Sequence, residues 1–235
     1  MEYICDRDMN FILNKYHDAS ITDTHSRFTR NDSIFDESTG MDGEEIKKRI
    51  LNDYNPTLPH PIAKARAFEF VLKNTRISCD PRDIFPAISS IDRPINATIV
   101  NIWRGEVFGD MIPEVAKKQS FYEKAGIAAM WPDYDHSVPF WERVFGLGFS
   151  GLLEESEKAR ASMVLNDEQA AFYEGIKITY EAIICLIGRL EALAHETKGS
   201  EKMEKALGNI RKNPPKTFYE ALLVDYLYFM LRRFH

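Results

Sequence analysis

The side chains best equipped for chemistry lie in one short stretch. There Asp133, Tyr134, Asp135 and His136 stand between two prolines, Pro132 and Pro139, and two tryptophans, Trp131 and Trp141. Carboxylates beside an imidazole can ligate a metal, exchange protons as acid and base, or hydrogen-bond a polyhydroxy or carboxylate substrate. The same groups can also cap neighbouring helices within a rigid loop. A D-x-D-H spacing is not a ligand signature, so no metal is assigned to it, and metal-assisted hydrolysis at Asp133, Asp135 and His136 is a distant option. Cys5, Cys79 and Cys185 are odd in number, far apart and outside any C-x-x-C pair, which argues against a disulfide framework or a structural zinc site. Cys185 falls in an apolar helical stripe and reads as a small buried hydrophobe. Neither Cys5 nor Cys79 has an adjacent His or Lys to activate it. The chain has no phosphate loop of the G-x-x-x-x-G-K-[ST] type and no G-x-S-x-G. Glu154, Glu155 and Glu157 read as a solvated helix face.

The whole chain sets the limits within which such a site must be built. Its 235 residues carry 30 Lys+Arg against 36 Asp+Glu, a net charge of −6, with 44% apolar and 12% aromatic residues. A chain of this length buries roughly 70% of its unfolded surface and needs no metal or disulfide to support a core. The acidic balance and the absence of a basic stripe argue against nucleic acid, because Lys47-Lys48-Arg49 and Arg232-Arg233 are too short to track a phosphate backbone. The charged N-terminus is unlike a signal peptide, and the apolar run 221–231 contains Asp225 and is too short to cross about 30 Å of hydrocarbon. No membrane partner is expected, and a reducing cytoplasm is the natural address.

The elements that must position the loop are mostly helices, so the expected class is mainly α, an α+β chain with few strands. Residues 1–41 read as a polar surface arm and 42–235 as the folded domain. Asp42 and Glu45 are spaced for a capping box ahead of a helix burying Ile46, Ile50 and Leu51. The prolines at 56, 59 and 61 end it, and Pro61 opens a second helix with Ile62, Ala65, Phe68 and Leu72 on one side. Residues 76–93 read as extended or looped chain, residues 95–103 as a strand, and helix resumes near Pro113. From Trp141 the chain is helical, but Gly146, Gly148 and Gly151 point to a loop or to close packing against another backbone. The clearest helix starts at Asn166, boxed by Gln169. It carries Phe172, Ile176, Tyr180, Ile183, Ile187, Leu190 and Ala194 as one stripe, and Gly199 is its natural stop. Thr217 and Glu220 repeat the box before a final helix that is apolar almost all round. Such a helix predicts further cover from outside the chain.

Four segments in order carry a resemblance. They are Pro61-Ile62-Ala63-Lys64-Ala65-Arg66-Ala67 with Val71-Leu72-Lys73-Asn74; Asp135-His136-Ser137-Val138-Pro139 leading to Gly148-Phe149-Ser150-Gly151-Leu152-Leu153; Phe172-Tyr173-Glu174 onward to Arg189; and Pro215-Lys216-Thr217-Phe218-Tyr219-Glu220-Ala221-Leu222. Together, over about residues 58–231, they resemble the N-terminal region of glycyl radical enzymes of the pyruvate formate-lyase type.

The resemblance implies the helical N-terminal portion of a ten-stranded α/β barrel and an anaerobic radical chemistry. In the full-length family one finger loop carries a thiyl-forming cysteine. The other carries a glycine whose radical is installed by a separate activating enzyme using S-adenosylmethionine and an iron–sulfur cluster. Both loops belong to the later part of the family's chain, so no cofactor is expected in this one and the sequence is expected to be a truncated piece, inactive alone. Arg143-Val144-Phe145-Gly146 looks like the family's R-V-[SA]-G radical motif but has Phe at the small position and is rejected. The resemblance carries one residue over, His136, which in the diol dehydratase branch hydrogen-bonds a substrate hydroxyl. Trp131, Asp133, Tyr134 and Asp135 accompany it as candidate substrate-binding residues. Asp135 stands where that branch has Gly, and Phe140-Trp141 where it has an acidic–aromatic pair, so no substrate is named. The chain is therefore expected to form part of a substrate pocket and to meet a C-terminal half or a second copy through residues 221–231. A stand-alone helical interaction module using the last helix is the alternative.

Overall fold

The computed structural model describes residues 48–49, 58–88, 117–118, 121–122, 124–126 and 139–232. Among these residues the elements are α1 (His60–Asn74), β1 (Ile77–Ser78), β2 (Ala87–Ile88), α2 (Trp141–Ala161), α3 (Asp167–Glu196), α4 (Glu201–Ile210) and α5 (Phe218–Arg232). The expected arm, the capping box at Asp42 with its buried Ile46, Ile50 and Leu51, and the strand at 95–103 lie outside the described residues. The described residues beyond Pro113 include helical Lys117, Lys118, Phe121, Tyr122 and Lys124.

Helix α3 is the axis of the fold. Asn166 accepts from the Gln169 backbone N–H at 2.8 Å, and the Gln169 side chain accepts from the Asn166 N–H at 3.1 Å, so both donors at the helix start are satisfied. Helix α1 lies along it. Pro61 starts α1 without wasting a donor, and the helix buries Ala63, Ala65, Ala67, Phe68, Val71 and Leu72, a broader face than four residues at helical spacing suggest. The two backbones approach most closely where Gly175 faces Pro61, since a Cβ on Gly175 would stand 2.7 Å from the Pro61 carbonyl oxygen. At the other end of α1, Arg189 donates to the Leu72 carbonyl at 2.6 Å and to the Thr75 carbonyl at 2.8 Å, satisfying acceptors that a helix C-terminus leaves over.

The extended segment 76–88 forms a two-stranded antiparallel pair with Ile77 opposite Ile88 and Ser78 opposite Ala87. Helix α5 holds its connecting loop: Tyr219 donates to the Ile84 carbonyl at 2.8 Å, Tyr226 to the Pro86 carbonyl at 2.6 Å, and Phe85 stacks on Tyr226.

Helix α2 continues through Gly146 and Gly151 but is interrupted at Gly148, where two helical segments meet across a kink. Its irregular residue is Gly148 (φ 65°, ψ 178°), a region that essentially only glycine occupies, and a Cβ there would lie 3.0 Å from the Asn213 carbonyl oxygen. Close packing against another backbone is thus the reason for that glycine. Helix α3 ends at Glu196, three residues before Gly199, which turns the chain at φ 92° into α4. At the start of α5 the expected Thr217–Glu220 box forms. The buried Glu220 carboxylate also accepts from the Lys216 backbone at 2.6 Å and from Asn209 of α4 at 3.0 Å.

The core gathers Leu72, Leu186, Ile187, Leu190, Leu207, Ile210, Leu223 and Leu227, each 1% exposed or less. Full burial of such a side chain is worth about 1.5–3 kcal/mol, so α3, α1, α4 and one face of α5 form a single hydrophobic unit. Helix α5 buries Leu223, Val224, Leu227 and Leu231, while Phe229 on its other side is 44% exposed. No helix of the described residues is long and apolar enough to cross a membrane.

Two expectations are corrected. Cys185 is exposed, not buried. It lies two residues from both Ile183 and Ile187, and two residues are about 200° of helical rotation, which puts it opposite the stripe. Phe172, at the head of that stripe, is 54% exposed because the stripe changes environment along α3.

Candidate functional site

Where the stripe leaves the core it lines a cavity of about 450 Å³, within the range of small-molecule pockets. One wall is α3, with Phe172, Ile176 and Tyr180 one above the other at helical spacing. Phe68 from α1 and Phe149 from α2, both buried, form its depth, and Tyr228 and Leu231 from α5 close the opposite side. Gly175 contributes backbone and no side chain to the lining.

Among the described residues the lining contains no charged side chain. Its polar groups are few and differ in how they are engaged. The Thr179 hydroxyl donates to the Gly175 carbonyl at 2.9 Å within its own helix. The hydroxyls of Tyr180 and Tyr228 make no hydrogen bond to a described residue, in contrast to Tyr219 and Tyr226, which are both bonded to backbone carbonyls. Burial pushes the Tyr180 phenol above its ordinary pKa, and the neighbouring Tyr228 adds to the shift. The phenol is thus a neutral donor and acceptor at physiological pH.

An aromatic cluster continues outward from this side. Trp141 stacks on Phe145 with centroids 5.0 Å apart and meets the Tyr228 ring edge-on at 5.1 Å, with Phe229 at 5.9 Å. Such contacts fix the start of α2 against the end of α5.

Among the described residues no thiol, carboxylate or imidazole lines the cavity, and what it offers a ligand is apolar surface with the Tyr180 and Tyr228 phenols. Half-buried Cys79 lies elsewhere, with its thiol 3.5 Å from both the Ser200 hydroxyl and the Met203 sulfur. Among the described residues no group of three or more His, Cys, Asp or Glu is placed to hold a metal ion.

Trp131, Asp133, Tyr134, Asp135 and His136 lie outside the described residues. The cavity residues were legible only as a helical stripe. The sequence signal that an open site adjoined them was the pair of aromatics, Phe172 and Tyr180, heading a stripe that is otherwise aliphatic. Gly146 of the rejected motif is an exposed residue inside helix α2, not the tip of a loop.

Comparison with known proteins bears on the whole of this region. Residues 73–232 match the family model described as pyruvate formate lyase-like. Among solved structures, the chain is similar to a glycyl radical enzyme from Archaeoglobus fulgidus, with a TM-score of 0.55 and 19% identity. That similarity covers 79% of this chain and 31% of that enzyme, so the sequence spans about a third of the length of the protein it resembles. No curated protein matches the chain.

Proposed function

The chain belongs to the pyruvate formate-lyase-like family, and from that premise we propose that it is the N-terminal helical portion of a glycyl radical lyase or dehydratase. In this reading it supplies one wall of a substrate pocket. His136 binds a substrate hydroxyl, and Trp131, Asp133, Tyr134 and Asp135 complete the polar lining. The radical glycine and the thiyl cysteine come from polypeptide outside this sequence. The observation that carries the reading is the family match, whose range, residues 73–232, reaches from the end of α1 to the end of α5. The placement of the alternatives agrees with it: Gly146 is helical, Cys185 is exposed on α3, and Cys79 has a hydroxyl and a thioether beside it rather than a base.

Anaerobic incubation of the 235-residue chain with a reduced activating enzyme and S-adenosylmethionine tests this. The expected electron paramagnetic resonance spectrum has no glycyl signal. Addition of a polypeptide carrying the cysteine and glycine loops is expected to give a complex with the radical on the added chain. In that complex His136→Ala should raise KM for a hydroxylated substrate while the radical yield stays the same. A glycyl doublet from this chain alone overturns the proposal.

A second reading, an interaction module acting through α5, is favoured by the 44% exposure of Phe229 and the 80% exposure of Phe218 on that helix. It predicts self-association through residues 221–231, detected by light scattering and lost in Phe229→Lys.

A further inference from the structure

We propose that the cavity bounded by α1, α2, α3 and α5 is a binding site for a neutral, largely apolar ring compound held by hydrogen bonds to Tyr180 and Tyr228. This inference stands apart from the substrate loop at 131–136, since the residues it uses are different and its test needs no radical chemistry.

Three observations lead to that ligand. The volume, about 450 Å³, accommodates a molecule of two or three fused rings. Among the described residues the lining has no Asp, Glu, Lys, Arg or His, so an ionised ligand would give up its hydration with no counter-charge from them in return. Flat rings are favoured by the aromatic faces of Phe68, Phe149, Phe172, Tyr180 and Tyr228, which offer stacked and edge-on contacts to a planar guest.

The tyrosines specify the polar end of the guest. Elsewhere in the molecule Tyr219 and Tyr226 anchor α5 to the loop after β1 by donating to carbonyls. Tyr180 and Tyr228 have no such structural task, and their hydroxyls are within electrostatic reach of each other. Two phenols lining one cavity can both donate to and accept from a hydroxyl or carbonyl on the ligand. Leaving such groups unpaired once the cavity is filled by a purely apolar guest is unfavourable, so a single polar substituent should improve affinity.

Equilibrium dialysis of the full chain with three probes, 1-naphthol, naphthalene and 1-naphthoate, reads out this chemistry. 1-Naphthol should bind saturably at one site per chain. Naphthalene should bind about tenfold more weakly and 1-naphthoate more weakly still. Ile176→Trp projects a larger side chain into the cavity beside Tyr180 and should weaken binding of 1-naphthol severalfold, with far-ultraviolet circular dichroism confirming that the variant is folded. The double variant Tyr180→Phe with Tyr228→Phe keeps the cavity open and should shrink the preference for 1-naphthol over naphthalene from about tenfold to twofold or less. The proposal is overturned by an absence of saturable binding, by 1-naphthoate binding as tightly as 1-naphthol, by a preference that survives loss of both hydroxyls, or by a folded Ile176→Trp protein that binds 1-naphthol as tightly as the parent chain. Failure to bind accompanied by a doubled mass in light scattering would overturn it in favour of a second copy as the occupant.

Discussion

The two halves of α3 carry the same apolar periodicity and do different things with it. In the C-terminal half, Ile183, Leu186, Ile187, Leu190 and Ala194 are 0–7% exposed, enclosed by α1, α4 and α5. In the N-terminal half, Phe172, Ile176 and Tyr180 continue the spacing but face a cavity, and Phe172 is 54% exposed. A stripe reports that a face is apolar. Whether protein covers that face depends on what packs there, and the spacing contains no information about it. The first half of α3 therefore has spare apolar surface held on a rigid helix, which is what a binding site requires and a core does not.

The contrast has its largest consequence in truncation. Leu186→Ala removes side-chain atoms from a fully enclosed position, 0% exposed, and leaves a hole the surrounding helices cannot fill. The expected cost is about 3 kcal/mol. Ile176→Ala trims a wall that already faces space, loses little packing, and should cost about 1 kcal/mol or less. Urea midpoints at an unchanged slope measure both. Equal costs would mean that the cavity side is as tightly packed as the core, and the contrast would be gone.

Which parts of this were legible beforehand follows from range. Local devices were readable because their partners are three residues away or their effect lies in their own backbone: the Asn166–Gln169 box, the Thr217–Glu220 box and Pro61 at the start of α1, whereas the glycines of α2 showed that something must approach but not that it is Asn213. Partners distant in sequence were not. The Glu220 carboxylate reaching Asn209, the Arg189 guanidinium reaching Leu72 and Thr75, and the tyrosines of α5 holding the loop after β1 all depend on how helices are arranged. Helix α4 went unassigned, although Met203, Ala206, Leu207 and Ile210 keep helical spacing behind Glu201 and Glu204 in the first turn. Cys185 was misplaced by reading a region as apolar without resolving its angular position. The family was legible from four short segments between residues 61 and 222, and the family model covers 73–232. The loop from Trp131 to His136 lies outside the described residues, so its chemistry still rests on sequence.

A smaller effect tests whether the first half of α3 is slack on every side. Its cavity face is open, but the face toward α1 has Gly175 beneath Pro61, with no space for a Cβ at 2.7 Å from the carbonyl oxygen. Gly175→Ala should gain about 1 kcal/mol of helix propensity and lose more than that to the backbone shift forced on α1, a net cost of about 1–2 kcal/mol. A stabilised Gly175→Ala protein, by the same urea titration, would show that α1 can move away freely, and the N-terminal half of α3 would then be loose on both faces.

The smallest effect belongs to Tyr180 and reads the polarity of the cavity directly. Burial raises its phenol pKa, with Tyr228 adding to the shift, whereas in the unfolded chain it ionises at about 10. Below that pH both states hold the proton and stability is flat. As pH rises past it, the unfolded chain loses the proton first. The native state then binds more protons than the unfolded one, and stability falls until the folded phenol also ionises. Tyr219 is raised as well, chiefly by burial, with Cys79 contributing, so late titration at the tyrosinate band should include both Tyr180 and Tyr219. In Tyr180→Phe one late phase should vanish and the alkaline loss of stability should shrink, whereas a substitution at Tyr219 should leave the Tyr180 phase in place. If the Tyr180 phase instead appears at the ordinary position, water reaches the phenol freely, and the cavity beside the first half of α3 is a wet cleft, not the apolar site its lining describes.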